Sequence, residues 1–171
     1  MPMTSKERVL QREHDRAVPV GKVQGKADAL DLAARASDMD GTAIIAEEDH
    51  IPAWSEDAVY TADHVGFPVQ DKGQVYTLLM PHRPADNPGS RPENLRAIYD
   101  LKHTKDPHKA KPWMASYGVS GLYKIDEVCT WPFGDGTDHV FRNLHDNNEF
   151  PPLTLNVEDR WEDLGEVIKW Q

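Results

Sequence analysis

Short apolar runs, separated by glycine, proline and charged residues, make up most of the chain after residue 50. These runs are rich in valine and aromatic residues, and turn-forming residues bound them, which is typical of short β-strands. The pattern Asp135-Gly136 favours a tight hairpin turn, and Lys72-Gly73 is a second turn signal. The pattern predicts strands at residues 58–60, 75–80, 121–123, 128–131, 140–144 and 167–168.

The first 45 residues carry helical patterns instead. Thr4-Ser5 can cap a first helix, and residues 26–39 combine good helix formers with one apolar side. Asp40-Gly41 is expected to end this second helix, and Ile44-Ile45 is expected to form a short strand. Both helices have thin apolar stripes, so we expect residues 1–45 to be a helical anchor or oligomerisation segment that needs a partner surface.

A pattern led by tryptophan occurs twice in the chain. In each copy the tryptophan precedes an aromatic strand start, and a glycine-punctuated hairpin then ends on a valine followed by an aromatic residue. The framework consists of Trp54, Tyr60 and Tyr76 in the first copy, and of Trp113, Tyr123, Phe141 and Trp161 in the second.

The repeat predicts a mainly β fold with an N-terminal α segment and two small tandem antiparallel β modules. We expect the first module at residues 50–102, a linker at 103–111 and the second module at 112–171. With 171 residues, 39% hydrophobic and 8% aromatic, the chain is lean for one large core. Modules of this size are marginal alone, so we expect them to pack together or to form a homo-oligomer, with a trimer among the candidate states.

Charge narrows the set of partners. The net charge is −10, and it is divided unevenly: residues 1–26 hold six Lys/Arg against three Asp/Glu, whereas the remainder holds thirteen against twenty-six. An acidic body of this kind makes nucleic acid an improbable partner, because phosphate contacts need clustered cations. The sequence shows neither a membrane-spanning run nor a signal peptide, so no membrane partner is expected.

The residues that usually carry catalysis or bind metals do not form a recognisable pattern. Eight histidines occur without a His-x-His or His-Glu-x-x-His spacing, and Cys129 is the only cysteine. His82, His103 and His108 are expected to be exposed in proline- and lysine-rich loops. No nucleophile elbow or phosphate-binding glycine loop is present, so we expect a protein that is not an enzyme and uses no metal or cofactor.

The aromatic residues have two interpretations. Flat rings on a small β-scaffold can stack on the apolar faces of sugars, but a module this small also needs aromatic residues for its core. The framework positions favour the core. We expect carbohydrate contacts, if they occur, at residues outside that framework, namely Trp131, Phe133, Tyr117, His82 and His145.

The repeated frame resembles the small chitin-binding carbohydrate-binding modules of families five and twelve. Several strings also look like phage and prophage proteins of Gram-positive bacteria, and they lie at residues 52–54, 73–82, 88–97, 103–113 and 118–123. In the chitin-binding modules, a pair of exposed aromatic residues follows the Val-Tyr strand. In this chain, Met80-Pro81-His82 follows that strand in the first copy and His145-Asp146 follows it in the second. A scaffold that binds other virion proteins therefore stays open as an alternative.

The resemblance implies a non-catalytic virion structural protein of a phage tail or baseplate. Such a protein would be made in the bacterial host cytoplasm, would dock on other virion proteins through its N-terminal segment, and would face a cell-wall or surface polysaccharide. The alternative is a capsid or tail decoration protein, or a head fibre, with a purely structural role. A third interpretation, an accessory module of a glycan hydrolase, lacks an accompanying catalytic domain.

Overall fold

The computed structural model describes residues 28–156 and 158–171. Across these residues the protein is mainly β, with a three-stranded sheet, a four-stranded sheet and short N-terminal helical elements. The expected fold class is therefore confirmed. The helix expected after Thr4-Ser5 lies outside the described residues.

Two short helices precede the sheets. Residues 28–35 form α1, a 3-10 turn follows at Ala36–Asp38, and Gly41–Ala46 forms α2. The Asp40 side chain accepts a hydrogen bond from the Ala43 N–H at 2.8 Å and so caps α2. The expected strand at Ile44-Ile45 is thus wrong, because Asp40-Gly41 starts a helix rather than only ending one.

The apolar side of these helices packs on the protein's own first sheet. One core cluster joins helical residues to Val75, and its buried members are Leu32, Ala36, Ile44, Ile45, Ile51 and Val75. Because Val75 belongs to the first sheet, this part of the N-terminal segment finds its partner surface within the chain.

The first sheet consists of β1 (Pro68–Asp71), β2 (Gln74–Leu78) and β3 (Tyr99–Leu101), in that order and antiparallel throughout. Lys72 and Gly73 both have positive φ, 50° and 76°, as a tight turn between twisted strands requires. The sheet's own core cluster contains Val69, Tyr76, Leu78, Tyr99 and Leu101.

The second sheet consists of β4 (Lys111–Pro112), β5 (Val128–Pro132), β6 (Asp138–Asn143) and β7 (Trp161–Glu166), in that order. Its β4–β5 pair is parallel and the other two pairs are antiparallel. The strand expected at 167–168 is a 3-10 helix, Val167–Trp170. The strand expected at 121–123 is reduced to one bridge between Tyr123 and Asn148.

The two sheets share one hydrogen-bonding plan. The segment before each leading tryptophan runs parallel to the first strand of the hairpin, so each module adds one parallel pairing to its antiparallel strands. The Trp54 N–H donates to the Gln70 carbonyl oxygen at 2.8 Å, and the Trp113 N–H donates to that of Thr130 at 3.0 Å. Gln70 and Thr130 are therefore equivalent positions.

The equivalence continues through the loops. Tyr60 and His82 exchange two backbone hydrogen bonds, and Tyr123 and Asn148 do the same. Gly66 and Asp126 are equivalent as well, because both have positive φ and both donate a backbone hydrogen bond to the second strand of their hairpin. The Gly66 N–H donates to the Leu78 carbonyl oxygen at 2.7 Å, and the Asp126 N–H donates to that of Asn143 at 2.9 Å. The two copies thus agree in backbone structure as well as in their aromatic pattern.

The copies pack against each other through the segment that joins them. Met114, which belongs to the second module, packs against the core cluster of the first sheet, and the Tyr76 hydroxyl lies 3.4 Å from the Met114 sulfur. His103 is buried, not exposed as expected, because its ring stacks on Tyr123 with centroids 3.6 Å apart. Thr104 is buried beside it and accepts a hydrogen bond from the Val128 N–H. The start of the expected linker is therefore part of the packed interior.

Gly41 allows α2 to lie against the backbone of His103. A Cβ added at Gly41 would fall well inside van der Waals contact of the His103 carbonyl oxygen, which is backbone and cannot swing away. We expect Gly41→Ala to lower the free energy of unfolding by about 2 kcal/mol, measured by urea denaturation. Gly134→Ala is the matched control, because open space surrounds that position, and it should change stability by less than about 0.5 kcal/mol. Equal effects of the two substitutions would contradict the close approach.

His103 should make stability depend on pH. Burial lowers its pKa from 6.5 to about 4, so the folded state favours the neutral ring. Above pH 6.5 the ring is neutral in the folded and the unfolded state, so it does not change the free energy of unfolding with pH. As the pH falls from 6.5 toward 4, protonation of His103 in the unfolded state lowers the free energy of unfolding by at most about 3 kcal/mol. We expect His103→Gln to show a smaller fall in unfolding free energy than the wild type between pH 6.5 and 4.5. The exposed His50→Gln serves as the control, and a pH dependence unchanged by His103→Gln would argue against this assignment.

Candidate ligand-binding face of the second module

Most framework aromatics lie in the cores. Four of the seven are buried, namely Tyr76, Tyr123, Phe141 and Trp161. The other three are partly buried and pack against the cluster of their own module, namely Trp54, Tyr60 and Trp113. Burial raises the pKa of both Tyr60 and Tyr76 to about 12. These phenols therefore stay neutral and act as packing groups.

In the first copy an ion pair covers the leading tryptophan. The Arg91 guanidinium lies 4.8 Å from the centroid of the Trp54 ring and binds both carboxylate oxygens of buried Asp71, at 2.8 and 3.1 Å. The Trp54 indole N–H donates to the Tyr99 hydroxyl at 3.2 Å. A cation therefore occupies one face of this indole, and its N–H is already bonded.

In the second copy a tryptophan takes the place of that acidic residue. Asp71 follows Gln70, and Trp131 follows the equivalent Thr130, so the two occupy the same strand position. Trp131 packs edge-to-face on Trp113, with centroids 5.5 Å apart and an interplanar angle of 83°. Trp131 is only partly buried. This exchange replaces an ion pair with an accessible aromatic surface.

Phe133 extends this surface along the β5–β6 hairpin. Its ring stacks on His139 with centroids 4.3 Å apart and planes 6° from parallel. The His139 Nδ1 lies 2.9 Å from both carboxylate oxygens of Asp163 on β7, which fixes the imidazole plane. We call Trp113, Trp131, Phe133 and His139 the aromatic face.

The aromatic face has the chemistry of a binding surface. The partly buried rings of Trp113, Trp131 and Phe133 offer flat apolar contact, whereas His139 is buried behind them. The Asp163 carboxylate, 35% exposed, can accept hydrogen bonds from hydroxyl groups. The indole N–H of Trp113 is buried and has no hydrogen-bond partner among the described residues. The nearest thiol, that of Cys129, belongs to the underlying core, where burial raises its pKa. This thiol is therefore buried beneath the face and stays protonated.

The other three expected carbohydrate contacts do not join the aromatic face. His82 lies in the first module, edge-on to Tyr99 with centroids 5.9 Å apart, and burial lowers its pKa. Tyr117 is 67% exposed on a turn that it closes with Ser120. His145 is exposed, and its carbonyl oxygen accepts a hydrogen bond from the Asn143 side chain. Only Trp131 and Phe133 are brought together.

Sequence reasoning missed His139 and Asp163. Their pairing depends on the register between β6 and β7, which carries a bulge between His139 and Phe141. An alignment of the two copies at Gln70 and Thr130 would have revealed the exchange, because Asp71 follows Gln70 and Trp131 follows Thr130. The aromatic framework alone does not align these positions, since the loops between them differ in length.

The residues that the structure describes contain no group of three or more His, Cys, Asp or Glu side chains that could hold a metal ion. No helix within the same residues has the length and apolar character needed to cross a membrane. Comparison of the chain with protein-family models gives no match, and comparison with curated proteins gives none either.

Cys129 should resist thiol reagents in the folded protein. Its side chain is fully buried and burial raises its pKa, so both access and thiolate fraction are low. We expect reaction with a disulfide reagent at pH 8 to be at least about a hundredfold slower than after denaturation in guanidinium. Equally fast labelling of the native protein would show that the second core opens readily.

Proposed function

We propose that the protein is a non-catalytic attachment protein of a phage particle, which binds a host surface glycan through the aromatic face. The observation that carries the proposal is the exchange between the two copies. In the first copy, Arg91 lies over Trp54 and is paired with Asp71. In the second copy, Trp131 occupies the position of Asp71 and packs on Trp113. Phe133 and the Asp163 carboxylate complete a surface with both apolar and polar contacts.

The chemistry of sugar recognition supports this use of the face. Pyranose rings present flat C–H surfaces that stack on indole and phenyl rings, and their hydroxyls need acceptors at the edge. Aromatic rings bring large contact areas and lose little conformational entropy on binding. His139, held by Asp163, keeps Phe133 in a fixed orientation before a ligand arrives, which reduces the entropic cost of binding.

The assignment to a phage particle draws on the resemblance of the loop strings at residues 73–82, 88–97 and 103–113. In this proposal the N-terminal segment docks on other virion proteins, and many copies of the chain are displayed at the tail or baseplate. Display in many copies, or as a homo-oligomer, raises the avidity of a weak single site. Millimolar affinity for one glycan unit is then sufficient for attachment.

A specific observation favours the second candidate, a decoration or head-fibre protein without glycan affinity. Several apolar side chains are largely exposed, in particular Val119 at 90%, Leu155 at 80% and Ile168 at 72%. An apolar groove of about 310 Å³ also lies between α1 and the first module, where Leu30, Val59 and Phe67 line it. Surfaces of this kind fit contacts with neighbouring virion proteins.

Trp131→Ala tests the choice between the two candidates. We expect the wild-type chain to be retained on purified host cell wall, and the variant to lose roughly 60 to 90% of that retention, because an aromatic stacking contact contributes roughly 0.5 to 1.5 kcal/mol. Leu155→Ala is the matched control, since it removes an exposed apolar side chain that is not part of the aromatic face. The measurement is the fraction of protein that sediments with the wall.

Two outcomes would go against glycan attachment. Failure of the wild-type chain to sediment would favour the architectural role, and equal retention of Trp131→Ala and wild type would move binding away from the aromatic face. Circular dichroism and a denaturation curve of the variant exclude unfolding as the cause of a loss.

A further inference from the structure

Arg96 is a buried cation that forms no ion pair with any acidic residue in the described part of the chain. Its residue is only 6% exposed, and it lies just before β3. Its Nη1 donates to the Ala115 carbonyl oxygen at 3.3 Å and its Nη2 to that of Ser120 at 3.5 Å, both long for charged donors. Its Nε has no partner among the described residues. The guanidinium therefore holds unused hydrogen-bonding capacity.

No ion pair to Arg96 forms within residues 28–156 and 158–171, whereas Arg35 and Arg91 each bind a carboxylate there. The Tyr76 ring lies beside the cation, with its centroid 5.8 Å from the guanidinium carbon, and the Asp100 carboxylate acts on Arg96 only from beyond ion-pair distance. Burial lowers the pKa of Arg96 because the charged form loses hydration. A cation in this position is costly unless an anion balances it.

Arg96 is among the residues that line two adjoining surface cavities. One has a volume of about 160 Å³ and is lined by Asn94, Arg96 and Tyr117, among others. The other, of about 350 Å³, is lined by Arg96, Ser116 and Tyr117. The exposed Tyr117 borders both cavities, Asn94 lines both, and Ser116 lines the larger one.

The chain also leaves room for this guanidinium. Gly121 has a φ of 75°, and a Cβ added there would overlap Arg96 Nη2. Any larger residue at this position would displace the cation from its place between the two modules. The absence of a side chain at Gly121 thus allows the position of Arg96.

We propose that Arg96 and Tyr117 form a second ligand site, which takes a sugar ring bearing a carboxylate, such as a uronic acid. The guanidinium would bind the planar carboxylate through two hydrogen bonds, the pairing its geometry suits best. The exposed phenol ring would stack on the sugar, and Asn94 and Ser116 would bind its hydroxyls. None of these residues belongs to the aromatic face, so this site stands whether or not Trp131 binds a glycan.

The test is a titration of the full isotope-labelled chain with glucuronate, followed by amide chemical shifts. We expect shifts at residues 115–120 that saturate, and at least about tenfold weaker binding by Arg96→Gln, because a charge-assisted pair is lost. Tyr117→Ser should weaken binding too, and its exposed position keeps it folded if Arg96→Gln proves unstable. Arg142→Gln is the control, since it removes the same charge from an exposed ion pair.

Three further arms make the outcome specific. Glucose at the same concentration should bind at least about tenfold more weakly, because it lacks the carboxylate. Inorganic phosphate should bind more weakly than glucuronate, and tighter binding of phosphate would overturn the assignment to a carboxylate sugar. Trp131→Ala should bind glucuronate like the wild type, which separates this site from the aromatic face. Shifts absent near Arg96, or equal binding by Arg96→Gln and wild type, would refute the site.

Discussion

The fold depends on one constraint, that neither sheet is large enough to bury a core with its own strands. The first sheet has three short strands, and residues of α1 and α2 pack on its Val75. Met114 of the second module packs against the sheet's own core cluster, which contains Tyr76. The second module depends on its neighbour in turn, because His103 stacks on Tyr123 at the boundary. Each module completes the other, and cutting between residues 103 and 111 would expose apolar surface on both.

The repeated backbone plan leaves the side chains free to diverge. The hydrogen bonds from Trp54 to Gln70 and from Trp113 to Thr130 fix the leading segment in both copies, whatever stands next on the strand. Asp71 and Trp131 are therefore exchanged without a change of scaffold. A duplicated module can in this way keep one copy for packing, with Arg91 closing its tryptophan, and expose the aromatic side of the other.

Local pattern was sufficient for the mainly β fold, the hairpins and the tandem repeat, because strand periodicity and turn residues act over short distances. Contacts distant in sequence account for the differences. Ile44 and Ile45 are apolar and β-branched, but the Asp40 cap and the packing on Val75 make them helical. His103 sits in a lysine-rich segment, yet stacking on Tyr123 buries it.

The candidate sites were less predictable than the fold. The His139–Asp163 pair depends on the register between β6 and β7, and the surroundings of Arg96 depend on the contact between the modules.

The contrast between two arginines separates packing from binding. Arg91 covers Trp54 and is neutralised by Asp71, so its charge has a complete structural explanation within the first module. Arg96 is more deeply buried and packs on Tyr76, but no ion pair among the described residues neutralises its charge. A neutral side chain of similar length could fill the same space at a lower desolvation cost, because burying an unpaired charge is unfavourable. A selected role for the charge therefore lies outside the packing, at the cavities that Arg96 and Tyr117 share.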